Sequence, residues 1–125
     1  MKTRFGITLL IMVLLAIIGT GLVSCKPTNA GVNVTVENAS GGEITSLQIR
    51  FTGGNKSTPT LKPAESFETK VNPAGESHLV VEFVDSLGKQ HSANVDVYLE
   101  HNYSGTIHVT LEPDGKVTWK DETKV

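Results

Sequence analysis

The chain has 125 residues, 38% of them hydrophobic and 19% charged, with a formal charge of −2. That length holds one small domain, and the composition excludes a disordered chain and a multi-span membrane protein. The near-neutral charge gives no reason to expect nucleic acid as a partner, and a single cysteine excludes an internal disulfide framework or a cysteine-rich zinc site.

The first segment is set apart from the rest. Met1 to Arg4 carries two positive charges and no negative one, and from Ile7 to Ile18 only Thr8 interrupts an apolar run. Gly19-Thr20-Gly21 then breaks helical tendency. A basic start, an apolar stretch and a small-residue end predict a secretory signal peptide over residues 1–24. The apolar run is short of the roughly 20 residues that a transmembrane helix needs.

The segment ends in Leu22-Val23-Ser24-Cys25. These four residues resemble the lipobox of bacterial lipoproteins. The resemblance implies a diacylglyceryl group on the Cys25 sulfur, cleavage just before Cys25, and further acylation (palmitate) of the new amino group. It covers the targeting segment only. It accounts for a lone cysteine in an exported protein, and two or more acyl chains hold a protein stably on a bilayer where one does not. Lys26 stands where enteric lipoproteins retained in the inner membrane carry Asp, so the resemblance favours the periplasmic face of the outer membrane, with the cell surface as the alternative.

Cleavage would leave 101 residues, Cys25 to Val125. Lys2 and Arg4 depart with the signal segment, which moves the formal charge from −2 to −4. Anionic lipid does not attract such a domain, so acyl chains on Cys25 would be its hold on the bilayer. Residues 25–31 form the anchor and linker. Lys26 to Gly31 reaches about 20 Å at full extension, which keeps the domain close to the membrane.

From Gly31 onward apolar and polar residues alternate, the pattern of half-buried strands. Val32, Val34 and Val36 share one face, and Asn38 to Gly42 turns the chain. Leu47, Ile49 and Phe51 repeat the pattern up to a turn at Gly53-Gly54-Asn55. A prolyl turn over Leu61 to Ser66 leads into Phe67, Thr69 and Val71, closed by Asn72 to Gly75. Leu79, Val81 and Phe83 form the next face with Val80 and Val84 opposite, so this strand is expected to be central or covered. Asp85 to Lys89 makes a hairpin turn before Val95, Val97 and Leu99. Glu100 to Gly105 turns into Ile107, Val109 and Leu111; Pro113-Asp114-Gly115 is a tight turn; Val117 and Trp119 end the pattern.

Seven or eight short strands with regular turns predict an all-β chain: a single antiparallel β-sandwich over residues 32–120, followed by a charged tail at 121–125. The pattern is similar to immunoglobulin-like and fibronectin type III domains without their paired cysteines. A small open β-barrel is the alternative.

Chemistry is sparse. His78, His91, His101 and His108 show no metal-ligand spacing and read as solvated surface residues. Gly-x-Ser-x-Gly is absent, and His91 and Ser92 point to opposite faces of a strand. The Gly-Gly pairs precede no helix, so they are turns and not phosphate cradles. Asn33, Asn38, Asn55 and Asn102 begin Asn-x-Ser/Thr triplets, which the lipobox makes coincidental. Tyr98 falls opposite Val97 and Leu99, and Tyr103 lies in a loop with His101 and Asn102; these four form the candidate interaction surface. The expectation is a lipid-anchored, non-catalytic module without cofactor or metal. It would bind an envelope or secreted protein, in one form as an inhibitor or immunity protein against a toxin or hydrolase. A small-ligand or metal-binding lipoprotein, or a structural envelope component, is the alternative.

Overall fold

A computed structural model describes residues 30–124. The signal segment, the lipobox and Cys25 lie outside the described residues. Eight strands follow in order: β1 (Val32–Asn38), β2 (Ile44–Phe51), β3 (Gly54–Leu61), β4 (Ser66–Val71), β5 (Ser77–Val84), β6 (Gln90–Leu99), β7 (Ser104–Leu111) and β8 (Val117–Lys124). A single 3₁₀ turn, Pro113–Gly115, separates the last two.

The strands form two four-stranded sheets, β4-β1-β7-β8 and β3-β2-β5-β6, stacked as a sandwich with no closed barrel. Alternation is the cause. Val32, Val34 and Val36 on β1 meet Leu47 and Ile49 on β2, Leu79 and Val81 on β5, and Ile107 and Val109 on β7 in one core, each 1% exposed or less. Phe83 is buried as expected, whereas Phe51 and Phe67 are half-buried against the same core. Every strand pair is antiparallel but one. β1 runs parallel to β7, with Val34 opposite Ile107 and Val36 opposite Val109, so the sandwich is mixed in its first sheet.

Four departures from the sequence reading have plain causes. β3 is a strand where only turns were expected. It is polar and contains Pro59, and it lies at a sheet edge, where a missing ladder donor is tolerated. Second, β2 starts earlier than the alternation suggests. Ser46 adopts a φ of 51°, and the register against β5 shifts between Thr45 and Gln48. This bulge lets Ile44 and Leu47, three residues apart, both face the core. Third, β5 is central, with β2 on one side and β6 on the other, yet the outer face carrying Val80 and Val84 is only half-buried. Fourth, β8 continues to Lys124, with Lys124 opposite Ser104, so residues 121–124 are strand and not a charged tail.

Strand direction sorts the turns to two ends. One end gathers Gly31, the start of β7 and the turns at Thr52–Gly53, Asn72–Glu76 and Glu100–Tyr103. The other gathers Asn38–Gly42, Lys62–Glu65, Asp85–Lys89 and Glu112–Lys116.

Candidate functional site

The four residues singled out from the sequence come together at the first of these ends. Tyr98 stands on the outer face of β6 and is 51% exposed. It sits on a bulge: Ser77 and Leu79 of β5 pair with Leu99 and Val95, so β6 fits Asp96, Val97 and Tyr98 opposite His78 alone. Bulges re-aim side chains, and here the result is a projecting tyrosine. Tyr103 meets the Tyr98 ring edge-on at 6.1 Å between centroids, a favoured aromatic geometry. Contrary to the expectation of an exposed loop tyrosine, Tyr103 is half-buried against the core. The phenolic O–H of Tyr98 donates to the Glu100 carboxylate, and this bond pushes the Tyr98 phenol up to about 12.

The loop beneath is braced. The Tyr103 N–H donates to the Glu100 carbonyl at 3.2 Å, closing the turn. Asn102 holds a φ of 67°, a left-handed conformation that asparagine tolerates, and its N–H donates to Asn72 Oδ1 at 2.9 Å. His101 Nδ1 lies 3.1 Å from the Pro73 carbonyl. Gly105 has a φ of 106°, and a Cβ there would lie 2.3 Å from the Glu122 carbonyl oxygen, so the close approach of β8 requires glycine. The Gly31 N–H donates to the Tyr103 carbonyl at 3.2 Å, which ties the start of the domain to this same loop.

A hollow of about 390 Å³ adjoins Tyr98, lined by Glu76, Ser77, His78, Asp96 and Val97. Farther along the same outer face a second hollow of about 250 Å³ runs past Gln48, Glu82 and Ser92. Arg50 Nε lies 2.9 Å from Glu82 Oε1 in an exposed ion pair, the kind that contributes little to stability.

One histidine departs from the expectation of four solvated surface residues. His91 lies opposite Phe83 in the β5–β6 register, stacks on its ring at 5.0 Å, and has its Nε2 2.8 Å from Asp85 Oδ2. Both side chains are mostly buried, at 14% and 21% exposure. The other carboxylate oxygen, Oδ1, accepts the N–H groups of Leu87 and Lys89. The bond to His91 and these turn amides hold the Asp85 carboxyl below its ordinary range. Gly115, at φ 77°, passes so close that a Cβ would lie 2.1 Å from the His91 ring. The pair braces a hairpin turn under the 3₁₀ turn. An aspartate opening the turn, six residues before a histidine on the returning strand, is the only trace of it in the sequence. His78 and His108 face solvent. Among the described residues, no three His, Cys, Asp or Glu side chains converge to hold a metal ion.

Among the described residues, no helix is long and apolar enough to cross a membrane. The chain matches no known family. No curated protein matches it either. Among solved structures it is similar to an NMR structure of a protein from Eubacterium rectale, with a TM-score of 0.56 at 11% identity over 79% of this chain and 95% of that one. At that identity the likeness concerns the fold alone, and it agrees with the two-sheet sandwich described above.

Proposed function

We propose that the protein is a bacterial lipoprotein, acylated on Cys25, whose small β-sandwich binds another envelope or secreted protein without catalysis. The observation that carries this reading is the Tyr98–Tyr103 patch. An exposed tyrosine is aimed outward by a strand bulge, packed on a second ring and hydrogen-bonded at its tip. Aromatic anchors held in one orientation lose little entropy on binding and are common at the centres of interfaces. An inhibitor or immunity role against a toxin or hydrolase is the specific form proposed.

The lipobox and the patch combine into a geometric consequence. Gly31 is bonded to the Tyr103 carbonyl, and the six residues Lys26 to Gly31 span about 20 Å at most. An acyl anchor on Cys25 would therefore hold the patch at the membrane-proximal end, where a partner working at the bilayer or wall would be met.

Two measurements test the reading. Labelled palmitate is expected to enter the wild type and not Cys25→Ser, which should leave the membrane fraction; equal labelling of both defeats the anchor. Immobilised protein is expected to retain one stoichiometric envelope or secreted protein, lost in Tyr98→Ala; retention unchanged in Tyr98→Ala defeats the patch. The hollow beside Tyr98 is the basis of the second reading, a small-ligand site, which calorimetry with envelope metabolites would reveal.

A further inference from the structure

The sandwich has four edge strands, and they are not alike. β3 carries Lys56 and Pro59, which discourage a neighbour from adding to its ladder. β4 is six residues long, with Glu68 and Lys70. β8 carries Lys120, Asp121, Glu122 and Lys124. β6, the longest strand, pairs with β5 alone. Its bulge and its single charge, Asp96, fall in its second half. The first half, Gln90-His91-Ser92-Ala93-Asn94, is regularly paired and contains no carboxylate, lysine, arginine or proline. On the neighbouring sheet β8, which touches β6, carries Trp119. Trp119 is in register with the core residue Val109, yet 40% exposed.

We propose that this stretch of β6 pairs antiparallel with the same stretch of a second copy of the chain, joining two four-stranded sheets into one of eight. The residue pattern selects the partner. With Ser92 on the two-fold axis, Gln90 of one copy meets Asn94 of the other, and His91 meets Ala93. Outward side chains then meet outward ones and inward meet inward, as antiparallel pairing demands. No like charges face each other, and the outer row is uncharged and polar on both sides. The added strand would lie on the side of the sandwich where β6 touches β8, the strand that carries the exposed Trp119. The same uncharged stretch thus complements itself, whereas each of the other three edges carries charge, proline or both.

The inference stands on the strand edges and not on lipid anchoring. If Cys25 is acylated as proposed above, the two tethers leave from opposite ends of the pair, so the dimer lies with its strands along the membrane.

The test uses the full chain purified in detergent, followed by sedimentation velocity over a concentration series. Wild type is expected to dimerise. Ser92 is exposed, so charge placed there leaves the core untouched. Ser92→Lys and Ser92→Asp, each facing itself across the axis, are expected to weaken the dimer at least about tenfold, since like charges directly opposite oppose pairing. Mixing the two variants should restore a dimer of one of each. Far-ultraviolet circular dichroism checks that both stay folded. A wild type that is monomeric at every concentration overturns the proposal, as does a dimer that Ser92→Lys leaves intact. Loss of palmitate labelling in Cys25→Ser with dimerisation retained would separate this inference from the anchor.

Discussion

At the end away from Gly31, the turns are held from inside. Asn38 is fully buried; its Nδ2 donates to the carbonyls of Gly42 and Leu61, and its Oδ1 accepts from the Ser40 N–H and hydroxyl. Its backbone bonds to Glu65 and Ala64 as well, so one side chain and its peptide unite β1 and two turns. At the end that holds Gly31, the buried Ser77 hydroxyl accepts the Thr52 N–H, and two further bonds lie at the surface. Asn72 bonds the Asn102 N–H, and Tyr98 bonds Glu100, in exposed contacts. A buried polar group left without its partner incurs its full desolvation cost, whereas an exposed one regains water. The far end is therefore held by a contact that is costly to break, and the Gly31 end includes surface contacts that water can replace.

The largest expected effect lies in Asn38. Asn38→Ala removes the side-chain donor to the buried Leu61 carbonyl and one of two side-chain donors to the Gly42 carbonyl, and is expected to lower stability by about 3 kcal/mol, read from urea unfolding. A loss below about 0.5 kcal/mol would break the contrast between the ends, since that is the range of ordinary surface substitutions. Next is Gly115→Ala, which forces a side chain into a left-handed backbone and against the His91 ring; about 2 kcal/mol should be lost by the same measurement. Asn72→Ala, the matching change at the Gly31 end, is expected to alter stability by no more than about 0.5 kcal/mol. It should nonetheless raise hydrogen exchange at the Asn102 amide.

Two titrations sharpen the picture further. Asp85 has a lowered folded pKa, so it contributes stability above its unfolded pKa, and that contribution is lost as pH falls through the folded value. Acid unfolding of the wild type should accordingly set in more steeply than that of Asp85→Asn, which is less stable at neutral pH and has no such carboxylate to protonate. Tyr98 has the opposite sign. Its raised pKa favours the neutral phenol in the folded state, so any contribution is present below its ordinary value and lost as pH rises through about 12. An ultraviolet titration should show a tyrosine step near pH 12, absent in Tyr98→Phe and moved down in Glu100→Gln.

How much of this was readable in the chain differs from strand to strand. β1, β5 and β7 follow strict alternation because one face of each meets the core, and burial on one face imposes a period of two. β3 escapes such reading because its side chains scarcely enter the core; only Leu61 at its end is buried. Ile44 escapes because a bulge at Ser46 breaks the period where alternation would carry it outward. The candidate surface was readable in part: the outward place of Tyr98 follows from its neighbours Val97 and Leu99. The packing of Tyr103 under it, and the pairing of His91 with Asp85, depend on how turns meet across strands.

The sequence by itself determined an all-β chain, its sheet-facing residues and the outward tyrosine on β6. It also carries the lipobox-like Leu22 to Cys25 that motivates the proposed anchor. Those are local properties: periodicity, turn chemistry and a contiguous motif. Only the tertiary structure decided that β1 runs parallel to β7, that Asn38 joins two distant turns and that the chain enters beside Tyr103. It also left β6 without a second neighbour. These are relations between residues far apart in the chain. They depend on which strands share a sheet, and alternation within a strand carries no information about its neighbours.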